Sequence, residues 1–230
     1  MDLINKLIDS KNKWLWDLVK IKDKISVSIW NGSSAAVLKK SNGYEILLTD
    51  LCKDSFNHEL CHIYLNQLIG PYFQMLISGC DKKIRRFINR GCFLHIGNCI
   101  EHYLFYDLYV SVGGDPTKFI QDYNIKKGNN FEYNLTKIDK YSIDSFLGNF
   151  FSVLADKNPK IDYYETYTIS KRLNYNIYQA CINLMMNAKR IGYIPKKYFF
   201  GIVNGEWVMI RRQKKACNRF WSIVKKEIFR

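Results

Sequence analysis

The residues best suited to chemistry lie at 58 to 62, His58-Glu59-Leu60-Cys61-His62. On a helix, a spacing of four puts both imidazoles on one face, where they can converge on a single tetrahedral ion. Glu59 falls beside that face, within reach of a metal-bound water but outside the ligand set. Zinc lowers the pKa of such a water toward neutrality, and a nearby carboxylate can take its proton as it attacks a carbonyl. The chain has only four histidines in 230 residues. Random placement would give a His-Glu-x-x-His pattern in roughly 0.2% of such chains, which favours a site over two unrelated surface histidines.

A catalytic zinc needs a third protein ligand and leaves its fourth position for water. The other two histidines lie in one short passage, Leu94-His95-Ile96-Gly97-Asn98-Cys99-Ile100-Glu101-His102. The third ligand is therefore expected to be Glu101, with His102 and His95 as alternatives. Glu101 is favoured because it opens a stripe with Leu104, Phe105 and Leu108, and a carboxylate on a core-facing stripe needs a partner. The same residue also fits a capping box with Asn98. With Glu101 on the metal, His102, His95 and Tyr106 become candidates to stabilise the tetrahedral oxyanion.

The elements that must hold these groups can be read from the pattern. Residues 1–20 interleave apolar and charged positions, as in an amphipathic helix rather than a signal peptide. Ile25–Trp30, Ala35–Leu38 and Tyr44–Leu48 read as strands, and Ser41-Asn42-Gly43 is a hairpin signal, so 25–49 is expected to form an antiparallel meander. A helix capped by Thr49 or Asp50 then carries the motif to about Leu68 and stops at Gly70-Pro71. A short amphipathic segment is expected at 82–89, an irregular passage between Gly91 and Gly97, and a helix over 98–112 ended by Gly113-Gly114-Asp115-Pro116. Further helices are expected at 117–123, 142–155, 175–191 and 206–229. The reading is an α+β fold, with residues 1–115 as the core and 116–230 as a helical region packed on it.

Composition narrows the class. Lys+Arg number 35 against 21 Asp+Glu, a net charge of +14, with 47% apolar residues and no low-complexity stretch. That is a globular chain with enough apolar material for a core. Seven cysteines at scattered spacing, without a Cys-x-x-Cys pair, suit free thiols in a reducing compartment, so a cytoplasmic location is expected. No run is long enough for a membrane span, and no membrane partner is expected. The segment 210–229 reads as a basic amphipathic helix; nucleic-acid binding through it is not favoured over a solvated helix docked on the core.

The order strand, HExxH helix, second helix resembles the zincin metallopeptidases, over about residues 25 to 113. A downstream glutamate ligand is the mark of the gluzincin branch, and a short sheet with an early HExxH helix is similar to cytoplasmic peptidases of the ImmA/IrrE type. The resemblance implies zinc held by His58, His62 and Glu101, with Glu59 as general base. It also implies a protein substrate, such as one specific regulatory protein. Phe105 stands where the thermolysin pattern has an aspartate four residues after the glutamate ligand. The string HELCH also resembles SprT-type proteins, which act on DNA-bound proteins and use a third histidine; that likeness points to His95 or His102. A cysteine ligand, Cys92 or Cys99, would resemble peptide deformylases, but the other motifs of that family are absent. The competing class is a basic nucleic-acid- or protein-binding module with a structural or inactive zinc site.

Overall fold

Strand β3 (Gly43–Leu48) is the most apolar of three strands and lies between the other two. It pairs parallel with β1 (Lys24–Ile29) and antiparallel with β2 (Ala36–Lys40). The sheet is therefore mixed, correcting the expected antiparallel meander. The β2–β3 hairpin forms where Asn-Gly predicts it, but the most buried strand takes the centre and leaves β1 to the far edge. This computed structural model describes residues 3–119, 137–157, 162–192 and 203–229.

Nine helices accompany the sheet among the described residues, making the fold α+β. They are α1 (Leu3–Leu7), α2 (Lys13–Lys22), α3 (Lys53–Ile69), α4 (Tyr72–Gly79), α5 (Arg90–Ser111), α6 (Ile143–Ala155), α7 (Tyr164–Leu173), α8 (Tyr175–Gly192) and α9 (Val203–Ile228). Short 3-10 turns occupy Ile84–Arg86 and Pro116–Lys118. The single N-terminal helix expected from periodicity is broken in two by an Asx turn: Asp9 Oδ1 accepts from the Lys11 and Asn12 amides at 2.9 and 3.2 Å. Residues 120–123 of the helix expected at 117–123 lie outside the described residues. No helix among the described residues is long and apolar enough to cross a membrane.

The chain divides into two compact units, Met1–Gly70 with Phe105–Gln121, and Pro71–Leu104 with Asp122–Arg230. This differs from a single cut near residue 115, because 71–104 packs with the C-terminal helices. In the first unit α3 packs on β3 and β2 and α2 packs on α3 and β1, burying Leu15, Val19, Ile46, Leu48, Phe56 and Leu60 completely. In the second, Trp221 on α9 donates from Nε1 to the Leu76 carbonyl at 2.9 Å. Tyr72 Oη donates to Gln213 Oε1 at 2.6 Å.

Helix α5 runs unbroken through the passage expected to be irregular. Gly97 is a helical residue at a close approach, where an added Cβ would lie 2.8 Å from the Phe73 backbone nitrogen. The helix ends where predicted, at Gly113, whose φ of 88° belongs to the left-handed region.

Candidate metal centre

Helix α3 carries the motif with His58 partly exposed and Glu59, Cys61 and His62 buried. Two tethers in the first unit fix its register. Asn57, fully buried, donates from Nδ2 to the Val112 carbonyl at 3.1 Å and accepts from Asn12 Nδ2 at 2.8 Å. Asp54, in the first turn, accepts the Asp115 amide at 2.8 Å and the Tyr109 hydroxyl at 3.3 Å. An acidic group there also complements the positive end of the helix dipole.

The spacing of four does what it promises: the His58 and His62 rings are neighbours, with centroids 5.1 Å apart. Phe105 of α5 stands edge-on to both, at 5.3 Å from His58 and 4.7 Å from His62. Phe119 lies 5.4 Å from the His58 ring and completes an aromatic wall. His102 precedes Phe105 by one turn on the same helix, so α5 itself carries it to the two motif imidazoles. The ligand atoms of His58, His62 and His102 all lie within 4.8 Å of one another, close enough to bind a metal ion. Tetrahedral zinc with Zn–N bonds of about 2.0–2.1 Å needs nitrogens about 3.3 Å apart, so the three rings would draw closer around an ion.

The donor set suits a cation. Burial, and next the neighbouring His62, hold His58 well below the ordinary histidine range, against a hydrogen bond to the Phe119 backbone that favours the charged form. Burial and His62 thus favour the neutral imidazole, the form that ligates metals. That bond occupies one ring nitrogen and fixes the tautomer, an orienting role often taken by a backbone carbonyl. Burial raises the Glu59 carboxyl above the usual range, with His62 opposing the shift. Glu59 stays outside the three-histidine group.

The favoured third ligand is elsewhere. Glu101 is buried, and its Oε1 accepts the Tyr72 amide at 2.9 Å, at the start of α4. It is not among the residues grouped with His58 and His62. The expected capping box fails for another reason: Asn98 lies inside α5 and starts no helix. Glu101 does cap a helix N-terminus, but that of α4, whose own N-cap, Pro71, makes no side-chain cap bond. His95, two turns before His102 or roughly 10 Å along the helix, has Nε2 at 2.7 Å from Ser152 Oγ and 3.1 Å from the Gly148 carbonyl oxygen. Cys92 reaches the Asp144 carbonyl, and Cys99 lies against His95. Tyr106, one turn beyond His102, packs against Phe119 at 4.9 Å.

Sequence reasoning missed Asn57, Phe105 and Phe119 as the groups that hold the histidines. A buried amide immediately before the motif was a usable signal for the first; nothing local marked Phe119. Compared with protein-family models, curated proteins and solved structures, the chain matches none.

Proposed function

We propose that this chain is a zinc-dependent metallopeptidase of zincin type, with His58, His62 and His102 as ligands and Glu59 as general base. The observation that carries the reading is the convergence of His102 on the His-Glu-x-x-His pair, with Glu59 beside the group and outside it. Three histidines leave one position of a tetrahedral ion for water, as catalytic sites require; structural sites close all four with protein atoms.

Zinc held by the three histidines would supply an acidified water and a positive charge at the carbonyl oxygen. Glu59 would be the group placed to take a proton from a water so held and to return it to the leaving amine. Its burial suits the role, because a desolvated carboxylate is a stronger base than a hydrated one. Tyr106 is the side chain proposed to face the oxyanion, now that His102 is assigned to the metal. Phe105 and Phe119 hold the imidazoles and keep bulk water from their sides. The substrate is a protein, and a cytoplasmic setting fits the free thiols.

The test combines metal analysis with cleavage mapping. Purified protein is expected to carry about one zinc per chain. Glu59→Gln keeps the zinc and loses cleavage of a peptide library whose new termini are read by mass spectrometry. Full zinc retention in the His58/His62 double alanine variant would refute the site. Equal cleavage by wild type and Glu59→Gln would refute the mechanism.

A further inference from the structure

The second unit exposes an aromatic cluster that its core does not use. Phe87 closes the turn Ile84–Arg86, and its ring meets Tyr141 at 6.1 Å and 88° and Phe229 at 5.7 Å and 61°. Tyr141 is 77% exposed and Phe229 43%, so these rings stand in solvent. Lys140 places Nζ 4.9 Å from the Tyr141 centroid and 6.0 Å from that of Phe87. Arg86 adjoins Phe87 in the chain and Lys226 precedes Phe229 by three residues; both are exposed. Lys140 lies over one face of the Tyr141 ring, and the high exposure of Tyr141 leaves the rest of that ring to solvent.

Carboxylates near in sequence have other partners: Glu227 accepts from Asn174 and Asn176, and Asp139 pairs with Lys137. Asp139 accepts the Tyr141 and Ser142 amides at 2.9 and 3.1 Å, and Asp144 accepts the Asn89 amide at 3.2 Å. Neither forms an ion pair with Arg86, Lys140 or Lys226. The patch thus combines exposed aromatic rings with cations, in a chain of net charge +14. Bases stack on aromatic rings whatever their sequence, and phosphates take the flanking cations. A membrane surface fits less well, since the apolar side chains Cys217, Phe220, Trp221 and Val224 of α9 are buried in the core.

We propose that Phe87, Tyr141 and Phe229, flanked by Arg86, Lys140 and Lys226, form a binding platform for single-stranded nucleic acid. Three phosphate contacts predict a slope of log affinity against log salt of about −2. Affinity then falls roughly twentyfold between 50 and 200 mM salt. The assignment is independent of the metal centre.

The experiment is fluorescence anisotropy of a labelled twenty-residue oligothymidylate titrated with the zinc-loaded full chain. A matched strand of abasic sites keeps the phosphates and removes the bases; it is expected to bind about tenfold more weakly or worse. Tyr141→Ala, at an exposed position that leaves net charge unchanged, is expected to lower affinity for the thymidylate by a similar factor and leave the abasic strand unaffected. The triple variant Arg86→Gln, Lys140→Gln, Lys226→Gln is expected to flatten the salt slope. Equal binding of thymidylate and abasic strands would overturn the proposal, as would binding only to vesicles containing phosphatidylserine. Unchanged affinity in Tyr141→Ala would overturn it as well.

Discussion

Glu101 on α5 accepts the backbone amide of Tyr72 at 2.9 Å, and so caps the N-terminus of α4 from a different helix. The carboxylate is buried, and the amide it satisfies has no intrahelical acceptor. Loss of an N-cap costs about 1 kcal/mol, and an unpaired buried amide adds to that. Glu101→Ala is expected to destabilise the protein by about 1–2 kcal/mol, lowering Tm by roughly 2–8 °C for a chain of this size. Zinc content should stay at the wild-type level. Zinc loss in Glu101→Ala, with zinc kept in His102→Ala, would return the glutamate to the ligand set.

His102→Ala tests the other half of that comparison. Orienting groups alone are worth about 10–100-fold in metal affinity, and a direct ligand is worth more. A loss of at least a hundredfold is expected in a competitive chelator titration, against little change for His95→Ala, whose ring is bonded to Ser152 and Gly148. Stripping the metal should also lower stability, since an ion bound only to the folded state at a hundred times its dissociation constant contributes about 2.7 kcal/mol. A drop in Tm of roughly 5–10 °C on adding chelator, reversed by zinc, is the expected scan.

The motif pair was legible because a spacing of four on a helix dictates convergence, and nothing tertiary had to be known. The choice between Glu101 and His102 was not. Cys99, Ile100, Glu101 and His102 are all buried, so a stripe rule that assumes one buried face cannot rank neighbours 100° apart. Gly91 and Gly97 read as breakers, yet Gly97 sits in the helix so that Phe73 can approach. Alternation located all three strands but could not order them, because pairing partners are set by which strand is most deeply buried. The basic C-terminal helix was legible from its periodicity, whereas the aromatic patch at Phe87 joins residues more than fifty positions apart.

Asn57 is the buried link between α3, the end of α5 and the N-terminal turn. Asn57→Ala strands the Val112 carbonyl oxygen and one Asn12 amide hydrogen in the core, the other staying bonded to the Leu7 carbonyl. Each unsatisfied buried group costs about 1–3 kcal/mol, so a loss of about 2–4 kcal/mol is expected from denaturant midpoints at constant slope. The change also frees α3 to shift against α5, so zinc affinity should fall in the same variant while that of Asp139→Ala is unchanged. Wild-type stability in Asn57→Ala would show that the tether is not what sets the register.

The thiols give a pH prediction with a definite sign. Burial pushes the Cys80 and Cys217 thiols up to about 12, and Cys61 and Cys181, fully buried, are raised well above the ordinary thiol range. Tyr64 is likewise raised by burial to about 12. In each case the folded state holds the proton more tightly than the unfolded chain. Their stabilising contribution is complete below the unfolded pKa, near 9 for a thiol and 10 for tyrosine, and is lost as pH rises toward 12. Stability from urea titrations should therefore fall steadily above pH 9, with no matching change between pH 7 and 8.5 from these groups. At pH 8 a thiol reagent should modify Cys52, the one cysteine not fully buried, well before the others. Rapid labelling of Cys61 or Cys181 in the folded protein would contradict the burial that fixes this order.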